Sequence, residues 1–198
     1  MSDFWQHVQI YLTLAAAALA AGSAIGIPLG ILASHRRAAR APVLVAANIG
    51  RVLPSLAVLT FMIPLFGVGF TPAVAALALL AIAPIAINTD VGFRAVPAAA
   101  IDAARGLGMT DAQIFRRIEF PLAFPIVFAG VRTAATEVIA SAVLAAFIGA
   151  GGLGEYITTG LQANQPRLLW LGAGTIAAIA LIVEFVLAFT QRRLETTT

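Results

Sequence analysis

A chain of 198 residues that is 61% hydrophobic and only 11% charged, with a mean hydropathy of +0.97, has too much apolar surface for one water-soluble globule, so lipid is its main solvent. It contains no cysteine, which excludes disulfides, thiolate metal sites and cysteine nucleophiles, and its two histidines, His7 and His35, are too far apart in sequence to suggest a metal centre. The 12 basic residues are all arginine and face 9 acidic ones, and the resulting charge of +3 reads as membrane topology and not as nucleic-acid binding.

Five apolar stretches are long enough, or nearly so, to cross about 30 Å of hydrocarbon: roughly 8–33, 42–66, 71–87, 122–148 and 168–189. The first carries Gly22, Gly26 and Gly30 at four-residue spacing. This small-residue face lets another helix approach closely, while Pro28 is expected to kink the span. The first stretch is expected to be a spanning anchor and not a cleavable signal, because its positive charges follow the apolar run and it is too long for a typical signal core. The third opens with Thr71-Pro72, read as an N-cap followed by a proline whose missing N–H costs nothing there. Nine arginines fall in one set of connections: Arg36, Arg37 and Arg40; Arg94, Arg105, Arg116 and Arg117; Arg192 and Arg193. By the positive-inside tendency these mark the cytoplasm. The N-terminus is then outside, the C-terminus inside, and the number of spans is odd.

The one sizeable polar excursion, 89–121, is read as two short helices joined by a turn. Pro97 suits a first helical turn, Ile101 and Ala104 share a face, and Gly106 and Gly108 interrupt the run. Thr110 with Gln113 forms a capping-box pattern, after which Ile114, Phe115 and Ile118 make an apolar stripe up to Pro121, expected to end the helix. Periodicity alone would equally describe an ordinary connection with surface helices.

The residues say more. Asp102-Ala103-Ala104, then Gly108, Ile118 and Pro121 resemble the Glu-Ala-Ala loop of ABC-importer permeases, with Asp102 in place of the family's Glu and Phe120 in place of its Leu. The segments Leu53-Pro54-Ser55-Leu56-Ala57, Ile63-Pro64-Leu65-Phe66-Gly67-Val68-Gly69, Ala129-Gly130-Val131-Arg132-Thr133-Ala134 and Ala145-Ala146-Phe147-Ile148-Gly149-Ala150-Gly151-Gly152-Leu153-Gly154 are similar to those of permeases for osmoprotectants such as glycine betaine, choline and carnitine. At Val91-Gly92-Phe93 the chain departs from that pattern. The resemblance implies an all-α, polytopic fold of about five spans, that of a type I importer permease, in one domain over 1–198. It also implies that Asp102, Ala103, Ala104, Gly108, Ile118 and Pro121 dock on a cytoplasmic ATPase. Small alanines, an apolar stripe and a turn glycine suit docking of a helix in a groove.

Gly149-Ala150-Gly151-Gly152-Leu153-Gly154 satisfies G-x-G-x-x-G, but it ends a long apolar span and no acidic residue follows at the right distance, so an extracellular turn beneath a docked binding protein is the better reading. Four ionisable residues fall inside spans: Arg51, Arg132, Glu137 and Glu184. Such groups either fix helix packing as ion pairs or line a translocation path. Counting about 1.5 Å per residue puts Arg51, Arg132 and Glu184 at similar depths of roughly 12 to 15 Å, which permits an Arg132–Glu184 pair. Glu137 lies some 22 Å deep on the same count and is the best placed to attract a quaternary ammonium. Aromatics are only 8% of the chain, so high-affinity selection of such a cation is expected in a separate binding protein.

No G-x-x-x-x-G-K-[ST] loop is present. With the resemblance, this implies a subunit with no catalytic residues, metal or cofactor of its own, in the bacterial cytoplasmic membrane. ATP and Mg²⁺ would belong to a partner ATPase dimer, with a second permease copy and an extracytoplasmic substrate-binding protein completing the assembly. Two alternatives stay open: a permease of the same fold for another small solute such as an amino acid or a sulfonate, and a passive or ion-coupled carrier.

Overall fold

The computed structural model describes residues 2–195, and every regular element among them is helical. Four helices are long and apolar enough to cross a membrane, within Asp3–His35, Phe70–Ala95, Asp111–Ile148 and Pro166–Leu194. A fifth crossing exists if the bent pair Arg37–Val52 and Ser55–Phe66 is taken as one.

Helix α1 (Ser2–His35) runs through Pro28 without interruption and lies along α4 (Phe70–Ala95). The glycine ridge makes this close approach possible. A Cβ at Gly22 would sit 2.6 Å from that of Ala81, and one at Gly30 would sit 2.4 Å from that of Thr89. On its other side α4 receives α7 (Phe120–Ala142) at Gly130, where a Cβ would meet Asn88 at 2.6 Å. Helix α4 is thus the buried centre, and Ala73, Leu77, Ala81 and Ile85 carry the main core.

The second span is not one helix. It is α2 (Arg37–Val52) and α3 (Ser55–Phe66), bent by 103°. The cause is local: Pro54 has no N–H to continue the ladder and holds Leu53 in the extended region (φ −70°, ψ 128°). The third span is longer than its hydropathy suggests. It is capped by Gly69, with Thr71 already in the first turn, and extends to Ala95, so 89–95 belongs to the bundle and not to the connection. Asn88 and Thr89 continue the helix because their side chains donate back to the carbonyls of Pro84 and Ile85, at 2.8 and 2.7 Å.

After α4 come α5 (Ala98–Gly106) and α6 (Asp111–Ile114), a π-helical turn Phe115–Glu119 and α7. Pro121 does not end the helix; the π turn just before it opens the ladder where the proline would otherwise clash with an earlier carbonyl, and the chain runs on as α7. A tight 3-10 stretch (Val143–Ile148) leads into a turn with Gly149, Gly151 and Gly152 all at positive φ. The connection that follows is not all irregular, for it contains α8 (Gly154–Gln162). Helix α9 (Pro166–Glu195) leans on α7 and α8 and exposes Trp170, Leu181 and Phe185, a surface fit for lipid.

Candidate functional site

The 98–114 element projects from the arginine-rich end of the bundle. In α5 the buried face is Ala104, while Asp102 and Ala103 point outward; an Asp102–Arg105 pair at 3.8 Å spans one turn. The helix ends in a reversed turn at Gly108, whose φ of +77° is one that L side chains rarely adopt. Two backbone bonds close it, from Gly108 N to Arg105 O at 2.9 Å and from Met109 N to Ala104 O at 3.1 Å. Thr110 then caps α6 as its spacing predicts: Gln113 N donates to Thr110 Oγ1 at 3.4 Å, and Thr110 N donates to Gln113 Oε1 at 2.8 Å. Leu107, at the tip, is 84% exposed. The result is a rigid knob whose tip combines a bare leucine, small alanines and one carboxylate, with Ile114 buried beneath it. Ile118 is half-buried in the π turn and Pro121 is exposed in the first turn of α7, so these two flank the knob and form no part of its tip.

The intramembrane charges are distributed along α7 and its neighbours. Arg132 Nε donates to Glu184 Oε1 at 3.1 Å, Nη2 donates to the same oxygen, and Nη1 donates to Gln191 Oε1 at 2.8 Å. This fork ties α7 to α9. Glu137 is half-buried one helical turn and a half further along α7. Arg51, at the end of α2 just before the bend, is exposed and is the positive charge within electrostatic reach of Glu137.

Three links escape sequence reasoning. Arg40 Nε donates to Asp90 Oδ2 at 3.2 Å; Asp90 is 1% exposed, and its Oδ1 has no hydrogen-bond partner among the described residues. His35 Nε2 lies 3.1 Å from Glu119 Oε2. At the opposite end His7 Nε2 lies 2.8 Å from Glu155 Oε2, in an open cleft also lined by Asp3, Tyr156 and Thr159. Each joins residues far apart in the chain, and only the polar residues in otherwise apolar surroundings hinted at them. No group of acidic residues and histidines suited to a metal ion occurs among the described residues.

Residues 26–196 match the family described as binding-protein-dependent transport system inner membrane component. The chain is 39% identical over 184 residues to the choline transport system permease protein OpuBB of Bacillus subtilis, covering 93% of this chain and 85% of that one. It is 41% identical over 184 residues to the glycine betaine/carnitine/choline transport system permease protein OpuCB of the same organism, covering 93% and 84%. To the osmoprotectant import permease protein OsmY of Salmonella typhimurium it is 43% identical over 173 residues, covering 86% and 73%. Among solved structures, a chain of the MetNI methionine ABC transporter superposes with a TM-score of 0.86 at 22% identity, covering 98% of this chain and 97% of that one, a likeness of fold. Matched along nearly its whole length by family, relatives and fold, the chain belongs to the binding-protein-dependent transport system inner membrane components.

Proposed function

We propose that this permease subunit carries a small osmoprotectant bearing a quaternary ammonium, such as choline, glycine betaine or carnitine, into the cell. The observation that carries the solute class is identity near 40% over 86 to 93% of the chain to permeases named for those solutes. The bundle then sits in the bacterial cytoplasmic membrane with its arginine-rich end inside, which puts the N-terminus outside and the C-terminus inside.

In this reading the knob at 98–114 is the docking element for a cytoplasmic ATPase dimer. Ala103 and Leu107 enter a groove, Asp102 meets a basic rim, and Ala104 and Gly108 keep the knob's shape; Ile118 and Pro121 join it to the spanning helix. ATP and Mg²⁺ are held by that partner, and this chain binds no cofactor and hydrolyses nothing. One copy has too few spans to enclose a path, so a second copy, identical or paralogous, completes it. A substrate-binding protein delivers the solute to the glycine-turn end, around 149–152. Glu137 is the group best placed to attract the cation inside the membrane, and Arg51 to neutralise Glu137 when no cation is there. The Arg132–Glu184 pair holds α7 to α9 while the bundle moves between states.

The test is reconstitution in liposomes with the neighbouring ATPase and binding protein, followed by uptake of labelled choline, glycine betaine and carnitine. ATP-dependent accumulation of at least one of them is expected, and accumulation without ATP, or of none of them, overturns the reading.

A further inference from the structure

Between the knob and the bundle lies a second hydrophobic core, separate from the main one. Phe93 of α4, Val96 just after it, and Ala123 and Val127 of α7 form it, and Ile31 of α1, Ile101 of α5 and Phe115 of the π turn pack against it. Three spans and the knob therefore share one small cluster. Phe93 and Phe115 stack with centroids 5.6 Å apart and ring planes 10° apart, and the His35 ring stands edge-on to Phe93 at 5.7 Å.

The way each span is joined to the knob differs. Helix α7 continues from it through the π turn, and α4 precedes it by the short link at Val96 and Pro97; both are covalent routes. Helix α1 has no such route. Its last residue, His35, instead reaches Glu119, the last residue of the π turn, at 3.1 Å, while its Nδ1 lies 3.0 Å from the carbonyl of Ile31 in the preceding turn of α1. The Glu119 side chain is only 16% exposed, and a carboxylate so placed is costly without a partner. The contact is therefore a directional clasp between the end of one span and the π turn that opens another, and π turns of this kind are frequent at functional places.

We propose that His35 and Glu119 are positioning residues for energy coupling: their contact makes α1 follow the knob when the knob is displaced. This inference rests on the reading of the knob as the ATPase docking element. Without the clasp, a displaced knob would act on α7 and α4 directly but on the end of α1 only through its packing on α4 and the Phe93 cluster, and hydrolysis would proceed with less solute moved.

The experiment uses the complete complex of permease, ATPase and binding protein in liposomes, with labelled choline, glycine betaine or carnitine as solute, whichever the unaltered complex accumulates. Uptake and ATP hydrolysis are measured in the same vesicles for His35→Ala, Glu119→Gln, the double variant and His35→Gln. Solute moved per ATP should fall about fivefold or more in each of the first two, with basal hydrolysis per assembled complex kept within about twofold. The double variant should be no worse than either single one, and His35→Gln, which keeps a side-chain N–H, should recover part of the loss. A solute-to-ATP ratio equal to that of the unaltered complex, or losses that multiply in the double variant, overturns the proposal. So does a fall in the amount of assembled complex with normal transport per complex, which would assign the clasp to folding alone. If the unaltered complex shows no ATP-driven uptake of any of the three solutes, the proposed function on which this inference rests fails first, and that result is distinct from a normal ratio in the variants.

Discussion

At Gly30 a single hydrogen in place of a side chain decides how near α1 can lie to α4, because an added Cβ would fall 2.4 Å from Thr89 Cβ and 2.6 Å from the Ala86 carbonyl oxygen. Both obstacles belong to a buried helix that cannot retreat without opening the core. Gly30→Val is therefore expected to cost about 1–3 kcal/mol or more, seen as a lower melting temperature in detergent; Gly174→Val, at a position with open space, should leave it nearly unchanged. The fork from Arg132 to Glu184 and Gln191 has a smaller expected weight. Both side chains are about one-third exposed, and hydrogen bonds between spans contribute about 0.6 kcal/mol on average and at most about 1.7, so a double-mutant cycle with Arg132→Gln and Glu184→Gln should return a coupling in that range. Glu137 matters for a different reason. Glu137→Gln should hold the fold and lower uptake of a quaternary ammonium by roughly tenfold, equivalent to about 1.4 kcal/mol, and unaltered uptake with an unaltered solute profile removes it from the path.

At the scale of elements, the knob is the part whose local sequence and local structure agree most closely. Its shape comes from the capping box at Thr110, the reversed turn at Gly108 and the buried Ala104, and all are short-range. Its tip can therefore be altered without disturbing it. Leu107→Asp, at a residue 84% exposed, should leave melting within about 0.5 kcal/mol yet prevent the ATPase from co-purifying, since an anion replaces the apolar anchor; retention of the ATPase would show that the tip is not the contact. Gly108→Val, by contrast, should weaken the knob itself, because a β-branched residue at φ +77° is strained by about 1–2 kcal/mol. These features were legible in the residues because capping and turn chemistry act over four or five positions. The bend at Leu53-Pro54 was not, since an apolar run of sufficient length hides a proline in its middle until the two halves are seen at 103°. The extension of α4 past Asn88 was hidden in the opposite way. Polar side chains ended the apolar run in sequence, but in three dimensions two of them bond back into the helix and Asp90 is met by Arg40. The π turn has no sequence signature apart from Pro121, which suggests a stop just where the helix instead loosens and continues. The pairings of His35 with Glu119 and of Arg40 with Asp90 depend on how three helices pack, and neither periodicity nor spacing reaches that far.

Over the whole molecule, charge is segregated by end, and this gives the proposed orientation a physical basis. The end that holds His35, Arg37, Arg94, Arg105 and Arg116 is rich in cations that resist transfer across lipid, whereas the other end holds the glycine turn, Asp3 and Glu155. The absence of native cysteine allows each end to be tagged alone without a background label. Leu107→Cys lies at the exposed knob tip, and Gln162→Cys lies at the exposed end of α8, close to the opposite surface. In intact cells a membrane-impermeant maleimide should label Gln162→Cys and spare Leu107→Cys, and opening the cells should expose the second. The reversed pattern would place the knob outside, where no ATP-hydrolysing partner could reach it. Equal labelling of both in intact cells would mean that the chain does not keep one orientation. Because four long helices form an even number of crossings, a third tag decides how the bent pair counts: labelling of Asp3→Cys, exposed near the start of α1, in intact cells that spare Leu107→Cys requires α2 and α3 together to make the fifth passage, with α2 entering from the arginine-rich side and α3 completing the crossing after the 103° bend.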